Sequence, residues 1–91
     1  MDLPETLTLI DLYPNPFNPS ITIRYQLLTG SEVHLRLFDS AGRLAASLVD
    51  GWREAGKHEV IFDGTKFASG VYLYQFRAGD YQNNGKMLLL K

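Results

Sequence analysis

A chain of 91 residues is one domain, short enough that its core has to be built economically. Hydrophobic residues make up 45% and charged residues 21%, a globular balance, and the net charge is −1 with the basic residues scattered, which excludes a nucleic-acid footprint or a polybasic lipid patch. The absence of cysteine excludes a disulfide framework, a thiol nucleophile and thiolate metal sites.

Residues 1–6 read as a linker remnant or an artificial start. Met1-Asp2-Leu3-Pro4 has neither the basic nor the apolar region of a signal peptide. Residues 7–91 read as a single domain. Leu7 to Leu12 supplies a first strand. Next come Pro14, Asn15, Pro16, Phe17, Asn18 and Pro19. Each proline fixes φ and lacks a donor, and each residue before proline is pushed toward extended geometry. This segment is therefore expected to be a stiff connector that carries the chain from one sheet to the other or over the sandwich edge. Asn18-Pro19-Ser20 is no glycosylation site, because proline holds the middle position.

From here the dominant period is two. Ile21, Ile23, Tyr25 and Leu27 alternate with Thr22, Arg24 and Gln26, one buried face against one wet face. After the hairpin-sized turn Leu28-Thr29-Gly30-Ser31, the residues Val33, Leu35 and Leu37 alternate with His34 and Arg36. Asp39-Ser40-Ala41-Gly42 fits a turn closed by a left-handed glycine. A weaker strand follows over residues 43–49, with Leu44, Ala46 and Leu48 on one face. Asp50-Gly51 reads as the next turn. His58, Val60 and Phe62 then oppose Lys57, Glu59 and Ile61, and Asp63-Gly64 ends that strand.

Val71 to Ala78 is apolar on both faces, which predicts a central strand covered on both sides. Gly79-Asp80 turns the chain into a last strand from Gln82 to Leu90. Asn84-Gly85 fits either a two-residue turn or a bulge. About seven strands at spacings of about 8–12 residues, with no helical period, predict an all-β antiparallel sandwich of the immunoglobulin or fibronectin type. The longest apolar run, Met87 to Leu90, is too short to span a bilayer as a helix.

These segments resemble one family in their order. "LYPNPFNPSITIRYQL", "LRLFDSAGRLAASLVDG", "AGKHEVIFDG", "ASGVYLYQFRAGD" and the terminal "GKMLLLK" are similar to the C-terminal sorting domain, type A, of the type IX or Por secretion system. The likeness runs from about Leu12 to Lys91. An immunoglobulin-like domain of flagellar hook-capping proteins shares the Ser-Gly-Val-Tyr strand. The resemblance implies a non-catalytic tail of a larger secreted protein, often a glycoside hydrolase or protease. That protein passes through the periplasm to the cell surface or the medium. Its implied partners are the outer-membrane translocon and a sortase-like protease that commonly removes the tail on the linker side, before about Leu7; in members left uncleaved the module attaches the protein to the cell surface. No cofactor is implied.

Within that reading the translocon-recognition candidates are Gly85, Lys86, Met87, Leu88, Leu89, Leu90 and Lys91. Alternation sets Lys86, Leu88 and Leu90 on one face and Met87, Leu89 and Lys91 on the other. A terminal strand can add to a partner's sheet, or pair two copies weakly, or simply be the last core strand. Trp52, with Tyr13 or Tyr81, is a candidate sugar-stacking platform and carries the alternative of a carbohydrate-binding module; the blander role is to cover the end of the core. His34 should point outward and His58 inward, and two histidines on different strands make a poor metal site. A triad of Ser69, His58 and Asp63 can be written down, but no nucleophile-elbow motif supports it.

Overall fold

The computed structural model describes residues 9–14 and 19–91. Seven strands follow in order: β1 (Leu9–Tyr13), β2 (Ser20–Leu27), β3 (Ser31–Phe38), β4 (Leu44–Arg53), β5 (Gly56–Asp63), β6 (Gly70–Ala78) and β7 (Tyr81–Leu89). They form two antiparallel sheets, ordered β1-β2-β5 and β4-β3-β6-β7. This is the sandwich expected from the alternation. The chain enters β1 with Leu9 opposite Gln26, near the end where β2 crosses to β3. The β6–β7 turn lies at that same end, since Gly79 N–H donates to the Glu32 carbonyl. β7 then runs to the opposite end of a body measuring 41 × 23 × 23 Å.

Period two explains the core. Ile21, Ile23, Tyr25 and Leu27 of β2 face inward, as do Val33, Leu35 and Leu37 of β3 and Tyr72, Tyr74, Phe76 and Ala78 of β6. Val49, Phe62, Met87 and Leu89 close the same cluster. Each large side chain fully removed from water contributes about 1.5–3 kcal/mol. A tyrosine near the start of β6 ties the corner before it: the Tyr72 hydroxyl donates to the Ala68 carbonyl at 2.6 Å. That bond is the tyrosine corner of immunoglobulin-type sandwiches. The β3–β4 turn is held by one carboxylate. Asp39 Oδ1 accepts from the amides of Ala41 and Arg43, both at 2.9 Å, while Gly42 takes φ 83°.

Several local expectations are corrected. Asp50-Gly51 is not a turn, because β4 runs through it to Arg53. The simple alternation of residues 43–49 also fails. Register shifts opposite Leu35/Arg36 and Leu37/Phe38 leave Leu48 and Ala45 as extra residues, so Val49 becomes the buried one and Leu44 is 58% exposed. Two bulges in an edge strand also discourage edge-to-edge pairing. Leu28-Thr29-Gly30 is not a hairpin, since β2 and β3 lie in different sheets. The proline-rich segment does not join the two sheets, since the strands it connects, β1 and β2, pair with each other. Asn15, Pro16, Phe17 and Asn18 lie outside the described residues, as does the expected strand start at Leu7.

Two corrections concern β6 and β7. Asn84 and Gly85 form neither turn nor bulge; they sit in regular register opposite Gln75 and Tyr74. Nor is β6 covered on both faces. It is central in its sheet, but Val71 and Leu73 are 42% and 41% exposed, so only its inner face is packed.

Candidate functional site

The terminal segment is a strand fixed to the body. Met87 and Leu89 are buried in the core, with Lys86 opposite Leu73 and Leu88 opposite Val71 on the outward face. Gly85 has a packing reason to be glycine. A Cβ there would lie 2.3 Å from Cε2 of Tyr74, whose ring rests over it across the strands. Burial pushes the Tyr74 phenol above its ordinary pKa.

Lys91 is docked on the β5–β6 loop. Its amide donates to Ser69 Oγ at 3.1 Å and its ammonium donates to the Thr65 carbonyl. That loop is itself ordered. Asp63 Oδ1 accepts from the Thr65 amide at 2.9 Å and from the Thr65 hydroxyl. Gly64 N–H donates to the Pro19 carbonyl at 2.8 Å, and the Phe67 ring packs against Phe62 and Tyr72. The Thr65 hydroxyl, then its amide, hold the Asp63 carboxyl below its ordinary range against desolvation, with lesser help from the charges of Lys66 and Lys91. The last residue of the chain is thus placed by the same loop that fixes the start of β6.

The outward face of the four-stranded sheet has two halves. Near the β6–β7 turn it is polar: Asp50, His34, Arg77 and Gln82 stand in one row across the strands. His34 Nδ1 comes within 2.7 Å of Asp50 Oδ1, an electrostatic approach without hydrogen-bond geometry. Toward the C-terminal end the row is Leu44, Phe38, Leu73 and Lys86, followed by Val71 and Leu88. A groove of about 400 Å³ opens there, between Phe38, Leu73, Gln75, Asn84 and Lys86.

The three-stranded sheet is finished differently. Asp11, Arg24 and Glu59 alternate in sign across β1, β2 and β5, with Arg24 Nε 3.9 Å from Glu59 Oε2 and its guanidinium over the Tyr13 ring at 4.4 Å. A second groove of about 400 Å³ on this sheet is lined by those same charges with Lys57 and Gln26.

The remaining candidates are dispersed. Trp52 is 60% exposed and its ring lies over Gly30, where a Cβ would come within 2.5 Å of Cζ2. Tyr13 stands on the other sheet under Arg24, and Tyr81 turns toward Phe76, so the three rings form no common platform. His34 faces outward, whereas His58 stacks on Tyr25 at 5.1 Å and pairs its Nε2 with the Glu54 carbonyl. Ser69 takes Lys91, Asp63 takes Thr65 and His58 takes Glu54, so the written triad does not converge. Among the described residues no group of His, Asp and Glu is placed to hold a metal ion. The sequence reading missed the Lys91 anchor and the ring over Gly85. Both are contacts between segments far apart in the chain, which period and spacing do not encode.

A family described as the secretion system C-terminal sorting domain matches residues 11–90. The chain belongs to this family. No curated protein matches it. The sorting domain is the tail by which a secreted protein enters type IX secretion, carrying a passenger across the outer membrane to the cell surface or the medium. Family and geometry favour this reading over a carbohydrate-binding module. No helix among the described residues is long and apolar enough to cross a membrane.

Proposed function

We propose that the outer-membrane translocon reads this sorting domain as a folded surface, with Gly85, Lys86, Met87, Leu88, Leu89, Leu90 and Lys91 as its contact segment. One observation carries the reading: the segment is locked by Met87 and Leu89 inside the core and by Lys91 on the β5–β6 loop. A segment held this way has already lost its conformational entropy, so a partner that binds it pays little for ordering. The passenger precedes β1 at one end of the long axis and the contact segment lies at the other. A sortase-like protease then acts on the passenger side, before about Leu7, after transit through the periplasm as a non-catalytic monomer. At the entry to β2 the Gly64 amide donates to the Pro19 carbonyl.

The test is surface export of a periplasmic reporter fused to residues 1–91 in a host with a type IX system. Leu90→Glu changes the outward face of the segment, and Leu89→Glu destroys the fold by burying a charge. A folded surface is read if both variants stay in the periplasm while Trp52→Ala is exported like the parent. Export of the unfolded Leu89→Glu fusion would show that a linear tail suffices, and would sink the reading.

A further inference from the structure

Trp52 is the only tryptophan of the chain, and neither the core nor the contact segment uses it. Its ring is well exposed and has two unlike sides. One side rests on the Gly30 backbone, where even a Cβ would come within 2.5 Å of Cζ2 and within 3.3 Å of Cε2 and Cη2. The glycine therefore seats the ring and leaves its remaining surface to water. The polar row of the four-stranded sheet begins beside it on the same outward face. Glu32 stands across from Trp52 in the β3–β4 register, and Asp50 and His34 form the next outward pair, two residues along each strand. Arg77 and Gln82 extend that pair across β6 and β7. Glu32 and Arg77 make no ion pair among the described residues, and Asp50 remains exposed beside His34.

A seated, open indole beside carboxylates, an amide and a guanidinium selects among occupants. A proline-rich peptide needs a groove lined by aromatic rings, and Tyr13 and Tyr81 are turned elsewhere. A protein partner anchored on tryptophan desolvates it in a closely packed pocket, whereas Trp52 has charge along its flank. An anionic lipid or an acidic sugar would meet the carboxylates of Glu32 and Asp50 against the one guanidinium of Arg77. A neutral pyranose satisfies both parts. Its C–H face covers the indole, and its hydroxyls donate to Glu32 and Asp50 and accept from Arg77 and Gln82. We propose that Trp52 and this polar row form a subsite for a neutral polysaccharide chain, additional to the sorting role. The three aromatic rings of the chain share no platform, but one seated ring with polar neighbours makes a subsite alone. It lies at the end where β2 crosses to β3, with Lys91 at the other end.

The probes are cellohexaose and mannohexaose, titrated into chain 1–91 and read by the emission of Trp52, which no second indole masks. A third arm uses delipidated surface polysaccharide from the type IX host. A saturable change with at least one of the three is expected. Response to the surface polysaccharide alone assigns the site to the cell's own coat, and response to an oligosaccharide assigns it to a polysaccharide outside the cell. Calorimetry then reads the variants. Trp52→Ala should abolish binding, and Glu32→Ala and Asp50→Ala should each weaken it about tenfold by removing a charged acceptor. Gly30→Ala keeps the indole but displaces it, and should also weaken binding while thermal melts show the fold intact. No response to any of the three, or an undiminished response in Trp52→Ala, overturns the proposal. So does tighter binding of an oligogalacturonate than of the neutral chains. The reporter fusion keeps this inference apart from the sorting reading. Export of Trp52→Ala with its sugar binding lost supports a separate subsite, whereas its retention in the periplasm beside an exported parent puts the ring in the translocon contact and overturns it.

Discussion

The two outward faces of this sandwich are built to different ends. On the three-stranded sheet, Arg24 stands between Asp11 and Glu59 in the cross-strand register, pairs with Glu59 and covers Tyr13. On the four-stranded sheet, the half around Leu73 presents exposed apolar side chains, Leu44, Leu73 and Val71. The inner faces beneath are alike, closely packed and apolar. A face that serves only to be wet is finished with paired charge.

The largest test of that comparison sets the two sides of β6 against each other. Phe76→Ala removes a fully buried ring and should cost about 3–5 kcal/mol in urea unfolding. Leu73→Glu, three residues earlier on the outward side, should cost no more than about 1 kcal/mol. Equal costs would mean that the open face is structural. Next in size is Gly85→Ala. Its methyl group meets the Tyr74 ring, so a loss of about 1–3 kcal/mol is expected, with the ring displaced in near-ultraviolet dichroism.

The charged face should yield less. Arg24 and Glu59 are both about half exposed, so a double-mutant cycle to alanine should return a coupling below about 1 kcal/mol that fades with added salt. A larger value would make that sheet's surface more than a solvated finish. The smallest effect is acid dependence. Asp39, held down first by the Arg43 amide, and Asp63, held down first by the Thr65 hydroxyl, both lie below the ordinary carboxyl value of 3.8. A depressed folded-state pKa adds stability that is fully present above 3.8 and is lost as pH falls through the folded value. Melting temperature should therefore drop on acidification below about pH 4, less steeply in Asp39→Asn and Asp63→Asn. An unchanged slope in both would remove these carboxylates from the acid response.

Much of the fold was legible because period two is a local property. The inward sets of β2, β3 and β5 followed directly from alternation, and the Asp39 and Gly79 turns from turn chemistry. β4 was misread because a bulge moves every later side chain to the other face. Leu48 and Ala45 look like ordinary strand residues until the register of β3 is known. The terminal strand was legible as a candidate site, but the groove beside it was not. It depends on Phe38 and Leu73 meeting across β3 and β6, 35 positions apart in the chain.

The sequence by itself determined a single all-β domain, its strands, most of its core and, through its motifs, its family. Alternation, turn chemistry and a distinctive order of segments are all written locally. Only the tertiary structure decided which apolar face would be buried. The first half of β6 is apolar on both sides in sequence, Val71 and Leu73 as well as Tyr72 and Tyr74, and the second sheet covers only one of them. It alone also placed Lys91 on the β5–β6 loop and the Tyr74 ring over Gly85. Such contacts depend on which strands become neighbours, and the pairing energy that decides this is summed over the whole sheet.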